Sequence, residues 1–194
     1  MVALPDGSEG ETALALVSTI AHDGHGGVAD FFADDAGVNA WVAARFPDLT
    51  PRSPAQAERL RTLRFAARSA FAASVSPHPP SRVERSRRMS DEEAAAVLRA
   101  AINALEPRTT VVIGDQGVQR GLDTSAQDQT FVEGALALAV VEFLTGPLAP
   151  RLRSCQAPRC VRYFVQQHGR QQWCKASCGN RARVARFADR QISR

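Results

Sequence analysis

Four cysteines, all in the last fifth of the chain, constrain this sequence more than any other feature: Cys155-x4-Cys160 and Cys174-x3-Cys178, with thirteen residues between the pairs. Residues 151–194 hold too few large apolar side chains to bury a core that offsets chain entropy, and segments of about 40 residues usually need a metal, disulfides or a partner. Four thiolates closing on one Zn2+ would supply on the order of 10 kcal/mol of metal-coupled folding. Pro158 suits a tight turn between the first two sulfurs, and Cys174-Lys-Ala-Ser-Cys178 can place two sulfurs at a helix entrance. The alternative is two disulfides, which need an oxidising compartment. The first thirty residues carry no basic region followed by an apolar run and a cleavage site, because Asp6, Glu9 and Glu11 come first and Asp23 interrupts the only apolar stretch. A cytoplasmic chain with Cys155, Cys160, Cys174 and Cys178 as zinc ligands is therefore expected. His168 is read as a turn residue, since four cysteines already fill a structural site.

Charge divides the chain at the same place. From residue 151 onward there are eleven Lys and Arg against one acid, Asp189, a formal +10, whereas residues 1–150 carry −6 within a total of +4. A local cationic excess is the footprint of a polyanion-binding surface, because basic side chains near phosphates release condensed counterions. A basic tail docking on its own acidic domain, or on a protein, is the alternative. No segment is expected to span a membrane. The longest apolar stretch, Phe131 to Leu144, is interrupted by Glu133, Gly134 and Glu142, while a spanning helix needs about 20 mostly apolar residues.

Periodicity gives a coarse architecture for residues 1–150. A first helix is expected from Thr12 to Ala21, ended by His22-Asp23-Gly24-His25-Gly26-Gly27, whose histidines read as a helix exit. A second runs from Asp34 or Asp35 to Arg45 and is stopped by Pro47. Ser53-Pro54-Ala55-Gln56 is a capping box with proline at the first helical position, opening a helix to about Ala73. Leu60, Leu63, Ala67, Ala70 and Phe71 form its apolar stripe, and Arg59, Arg61, Arg64 and Arg68 read as a solvated face, with phosphate contact the alternative. Ser76 to Arg88 reads as an exposed connection with a basic run at Arg82, Arg85, Arg87 and Arg88. Ser90-Asp91-Glu92-Glu93 opens another helix to about Leu105. Thr109–Ile113 and Val118–Leu122 flank a glycine-bearing turn and predict a hairpin. Phe131 to Leu144 is the buried central helix, and Pro150 marks the boundary. The fold class is α+β: a mostly helical domain over 1–150 with a small β-hairpin, then a zinc finger over 151–194.

Within the finger, Val161–Val165 reads as a strand, His168-Gly169 as a turn, Gln171–Trp173 as the return strand and Gly179–Gln191 as a helix. This order of knuckle, hairpin and helix suggests a treble-clef-like finger, with a zinc ribbon the alternative. Tyr163, Phe164 and Trp173 offer stacking surfaces or a small core. Arg162, Arg170, Lys175, Arg181, Arg183, Arg186 and Arg190 are the candidate nucleic-acid contacts. Asn180 and Arg181 follow the last cysteine and could equally cap the helix or brace the sulfurs.

The run Cys-Gln-Ala-Pro-Arg-Cys-Val-Arg-Tyr-Phe from Cys155, then Trp173-Cys174 and Cys178-Gly179-Asn180-Arg181, resembles the bacterial CGNR zinc-finger family, named for that tetrapeptide. In that family the finger follows an N-terminal ABATE domain, and the pair is described as a stress-induced transcription regulator. Upstream, Leu14–Thr19 is similar to the family's LxLVNT-like opening, with Ser18 standing where the family has Asn, and Phe31 to Trp41 resembles the following segment. The resemblance implies four zinc-binding cysteines and a nucleic-acid role, and no reaction.

The expected function is a zinc-containing, DNA-binding transcriptional regulator whose N-terminal domain senses a small-molecule effector or forms a homodimer. The alternative is a zinc-thiolate protein-interaction or redox-sensing adaptor. An enzyme is not expected: the chain has no nucleophile with its base at a known spacing, no phosphate-cradling glycine loop and no open His/carboxylate metal site.

Overall fold

The computed structural model describes residues 9–23, 27–48, 53–85, 88–115 and 117–192. Its elements follow as α1 (Glu9–Val17), β1 (Ile20–His22), β2 (Val28–Asp30), α2 (Asp35–Arg45), α3 (Pro54–Ser74), α4 (Arg82–Arg85), α5 (Asp91–Leu105), β3 (Arg108–Gly114), β4 (Gly117–Asp123), α6 (Asp128–Thr145), β5 (Leu152–Ser154), β6 (Tyr163–Val165) and α7 (Ala176–Ile192). The strands form three separate antiparallel pairs, β1 with β2, β3 with β4 and β5 with β6, so the class is α+β as the sequence implies.

Helix starts follow local chemistry. The Ser53 hydroxyl accepts from the Gln56 N–H at 3.3 Å while Gln56 accepts from the Ser53 N–H at 2.9 Å, and Ser90 and Glu93 repeat the exchange at 3.2 and 3.0 Å. Each box satisfies donors that the first helical turn leaves open. Helix α6 is apolar on all sides and accordingly lies at the centre, with Phe131, Leu136, Val140 and Phe143 buried. Gly134 permits its approach to α5, because a Cβ there would sit 2.5 Å from the Leu105 Cβ. Leu16 and Val17 of α1, Val38 and Val42 of α2, Leu60, Leu63 and Phe71 of α3, and Leu98 of α5 close one core around it. Phe71 stacks on Phe143 at 5.3 Å and meets the Tyr163 ring at 5.4 Å. Tyr163 and Leu152 thus carry the finger's strands into the same core.

Three expectations are corrected. The first helix stops at Val17 and does not reach Ala21, because the Thr19 hydroxyl and N–H both turn back to the Leu16 carbonyl, at 2.7 and 3.3 Å. Ile20, Ala21 and His22 then pair as a strand with Asp30, Ala29 and Val28. The turn between them is held where Asp23 accepts from the Gly27 N–H at 2.9 Å, and His25 lies outside the described residues.

The arginines of α3 do not form a solvated face. Only Arg59 stays largely exposed, bonded to Glu133 at 2.9 Å. Arg61 donates to Asp35 at 2.6 Å and to the Phe32 carbonyl at 2.8 Å, and those bonds to the Asp35 carboxylate hold its guanidinium pKa above the ordinary value. Arg64 is 1% exposed and grips the Asp30 carboxylate with both terminal nitrogens, between the Phe32 and Phe65 rings. Burial lowers its pKa and the Asp30 bonds oppose that. Arg68, 2% exposed, is buried as deeply.

The connection 76–88 is likewise not simply exposed. It contains α4, whose Glu84 is 2% exposed and receives the Arg68 guanidinium on both oxygens. Arg68 also donates to the Val17 carbonyl and, at 2.7 Å, to the Val161 carbonyl in the finger. One side chain therefore joins α1, α3, α4 and the first cysteine knuckle, and each group that would be costly to bury alone has a partner. Of the basic run, Arg87 and the side chains of Arg82 and Arg85 lie outside the described residues; Arg88 donates to Asp91 at 3.1 Å.

Candidate metal centre and finger surface

The finger is built around a knuckle that interrupts its own hairpin. Strands β5 and β6 pair Leu152, Arg153 and Ser154 with Val165, Phe164 and Tyr163, and the connection between them holds Cys155 and Cys160. The Cys155 N–H donates to the Arg162 carbonyl at 2.9 Å and the Cys160 N–H to the Ala157 carbonyl at 3.0 Å. Arg159 takes a positive φ of 60° to close this turn. Ser154 fixes the outer side of the knuckle by donating to the His78 carbonyl at 2.9 Å.

The expected return strand at Gln171–Trp173 does not form. β6 takes β5 as its strand partner, and glutamine side chains organise the segment after it: Gln171 accepts from the Gln167 N–H at 2.8 Å, and Gln166 donates to the Gln171 carbonyl at 3.0 Å. His168 lies in this exposed turn, away from the sulfurs. Helix α7 begins three residues before the expected Gly179, so Cys178 stands in its first turn with its N–H bonded to the Lys175 carbonyl at 3.1 Å.

These elements bring all four sulfurs within 4.8 Å of one another. Cys160 and Cys174 are 3.9 Å apart, Cys174 and Cys178 3.6 Å, Cys178 and Cys160 3.8 Å. A tetrahedron of Zn–S bonds of about 2.3 Å has edges of about 3.8 Å, whereas a disulfide needs about 2.05 Å. The four thiols are unbridged, and their spacing and softness fit a tetrahedral divalent metal. Without a cation the cluster resists carrying four charges. Cys155 is pushed well down by thiol hydrogen bonds from Cys160 and then Cys174, and Cys174 is pushed up by its bonds to Cys155 and Cys160 and by burial. A divalent ion reverses that balance, since a coordinating thiol is deprotonated outright.

Outer contacts fix the sulfurs. The Cys174 N–H approaches the Cys155 sulfur at 3.5 Å. Arg181 donates to the Pro158 carbonyl at 3.0 Å and approaches the Cys178 sulfur at 3.5 Å, so it braces the knuckle and is half-buried. Phe164 and Ala182 pack beneath the cluster with Trp173 against them, and Tyr163 faces the larger core. Gly179 lets the Trp173 ring pack closely on the helix, since a Cβ there would sit 3.2 Å from it.

The other basic candidates divide by exposure. Arg162 is half-buried, whereas Arg170, Lys175, Arg183, Arg186 and Arg190 are exposed. Arg183, Arg186 and Arg190 surround Val184 and Phe187 on one open surface depression of α7. Among the described residues none of these three arginines is ion-paired with a carboxylate.

Compared with known families, residues 10–147 match the ABATE model, whose description reads "Putative stress-induced transcription regulator". The chain belongs to the ABATE family. Residues 151–191 match the CGNR zinc finger, the segment that carries the four-sulfur cluster, so the ABATE domain here is followed by a finger built to hold a metal. A comparison with curated proteins returned no match. Among the described residues no helix is long and apolar enough to cross a membrane. Sequence reasoning missed Arg68, Glu84 and Val161 as a junction, because nothing local distinguishes a buried arginine from the exposed Arg59 on the same helix.

Proposed function

We propose that this ABATE protein is a DNA-binding transcriptional regulator in which Cys155, Cys160, Cys174 and Cys178 hold a structural Zn2+ and the finger, residues 151–194, carries the DNA-binding surface. The observation that carries the reading is the pairing of a four-sulfur cluster with a helix, α7, on which Arg183, Arg186 and Arg190 are exposed and, among the described residues, carry no ion pair with a carboxylate. A closed four-sulfur site leaves no position for an activated water, so the metal's role is to set the shape of the finger. Residues 1–150 would act as the sensing or dimerising part in a cytoplasmic protein, and the Arg68 junction provides the physical link from that part to the knuckle.

The test is fluorescence anisotropy of the zinc-loaded full chain with a random 20-base-pair duplex. Binding should weaken linearly in log salt, by about 0.9 for each phosphate neutralised. No measurable binding at about 50 mM salt overturns the reading. A second reading, a redox-sensing adaptor, is favoured by one observation: Cys174 is only half-buried while the other three cysteines are buried. Mild peroxide should then release zinc and change binding to a protein partner; an inert finger counts against it.

A further inference from the structure

Helix α7 has two halves. Up to Ala182 it packs on the sulfur cluster through Cys178 and Ala182. Beyond Ala182 its contact with the finger narrows to Ala185, which is half-buried, and Arg186, over the Trp173 ring; Arg183, Val184, Phe187, Ala188, Arg190 and Gln191 are exposed, with Val184 at 69% and Phe187 at 61%. A free helical segment of about ten residues is marginal in water without something packed on it. At about 1.5 Å per residue it is about 15 Å long, and with side chains it is about 10–12 Å wide, the width of a DNA major groove.

The sequence of its outward stripe is informative. Asn180, Arg183, Val184, Phe187, Arg190 and Gln191 fall at i, i+3, i+4, i+7, i+10 and i+11, a single face opposite Cys178 and Ala182. Arginine is the side chain that reads guanine in the major groove, and apolar side chains contact the thymine methyl. The Arg183 guanidinium donates to the side-chain Oδ1 of Asn180 one turn earlier, which restricts its direction. Arg186 sits off the stripe, over the Trp173 ring at 5.8 Å, where a flanking phosphate would pass.

Other occupants fit less well. Packing α7 against its copy would set Arg183, Arg186 and Arg190 against the same arginines. A single-strand platform needs successive aromatic faces, and the stripe offers one. A membrane-surface helix needs a broad apolar face, and here it is two residues wide.

We propose, resting on the DNA-binding reading above, that the outward stripe of α7 reads base edges in the major groove of duplex DNA. Arg183 and Arg190 take guanines about three base steps apart, Val184 and Phe187 contact a thymine methyl between them, and Arg186 holds the backbone.

The experiment is selection of bound sites from a randomised duplex pool by the zinc-loaded full chain, followed by affinities for the selected and random duplexes. Enrichment of guanines three steps apart around a thymine is expected. R183A should reduce the preference for the selected site roughly tenfold with little effect on random duplex, while R186A should weaken both equally. Replacing the thymine by uracil should weaken wild-type binding severalfold and leave the double variant V184A/F187A unchanged. Zinc content confirms that each variant keeps its finger. Random-duplex binding without enrichment, or a stripe variant that weakens both duplexes equally, overturns groove reading while leaving the DNA-binding function standing. Preference for single strands or for anionic vesicles also overturns it, and the absence of any binding overturns both.

Discussion

Replacing Arg68 by Met removes a cation that is 2% exposed and leaves Glu84, also 2% exposed, as a buried carboxylate without its partner. Among the described residues, the hydrogen bond left to the Glu84 carboxylate is the long one from the Tyr163 hydroxyl at 3.4 Å. The Val17 and Val161 carbonyls lose their donor in the same step. Stranding one member of a buried pair costs about 3–5 kcal/mol, and for a chain of 150–250 residues each kcal/mol lowers Tm by about 2–4 °C, so R68M should melt roughly 6–20 °C early. E84L strands the arginine and should cost a similar amount. The double variant R68M/E84L carries no uncompensated charge and is left only with two carbonyls short of a donor, each costing about 1–3 kcal/mol. Its loss should therefore be well below the sum of the single losses, giving a coupling of at least about 2 kcal/mol in a double-mutant cycle. Urea denaturation of the four proteins, followed by far-ultraviolet circular dichroism, measures this. Additive losses, or an R68M variant within about 0.5 kcal/mol of the parent, would refute the claim that this guanidinium clamps the finger to the helical core.

Two further predictions concern the finger and its anchor. C178S should lose stoichiometric zinc and shift Trp173 emission to the red as the finger opens, with the core around α6 keeping its helical signal; full zinc content with unchanged emission would contradict the four-sulfur site. Tyr163, the chain's single tyrosine, has its pKa raised by burial and then by the charge of Glu84. The folded phenol thus holds its proton more tightly than the unfolded one, so its contribution is complete below about pH 10 and is lost as pH rises through the higher folded value. The urea midpoint should fall in that alkaline range and tyrosinate absorbance should appear together with unfolding, while Y163F flattens this limb. Tyrosinate forming near pH 10 in an intact fold is the contrary result.

The sequence alone carried the helix boundaries set by local chemistry, since Ser53-Gln56 and Ser90-Glu93 each complete a box within four residues. It carried the cysteine cluster as well, because the ligand spacing and the poverty of apolar residues after 151 leave few ways to order the tail. It also marked α6 as the central helix, from a run too apolar to be exposed on any side. What it did not carry were pairings over long separations. Nothing near Arg64 or Arg68 indicates that Asp30 or Glu84 will meet them, so both looked like part of a solvated stripe. The return strand at Gln171–Trp173 had a plausible local pattern, but the strand that pairs with β6 is Leu152–Ser154, and glutamine side chains hold Gln171 in a turn. Tertiary structure likewise decided which arginines of the finger stay outside, turning Arg181 onto Pro158 and Cys178 and leaving Arg183, Arg186 and Arg190 exposed. The division has one cause: caps, turns and ligand pairs are satisfied by neighbours in sequence, whereas a buried charge or a strand edge is satisfied by whichever group the packed core brings to it.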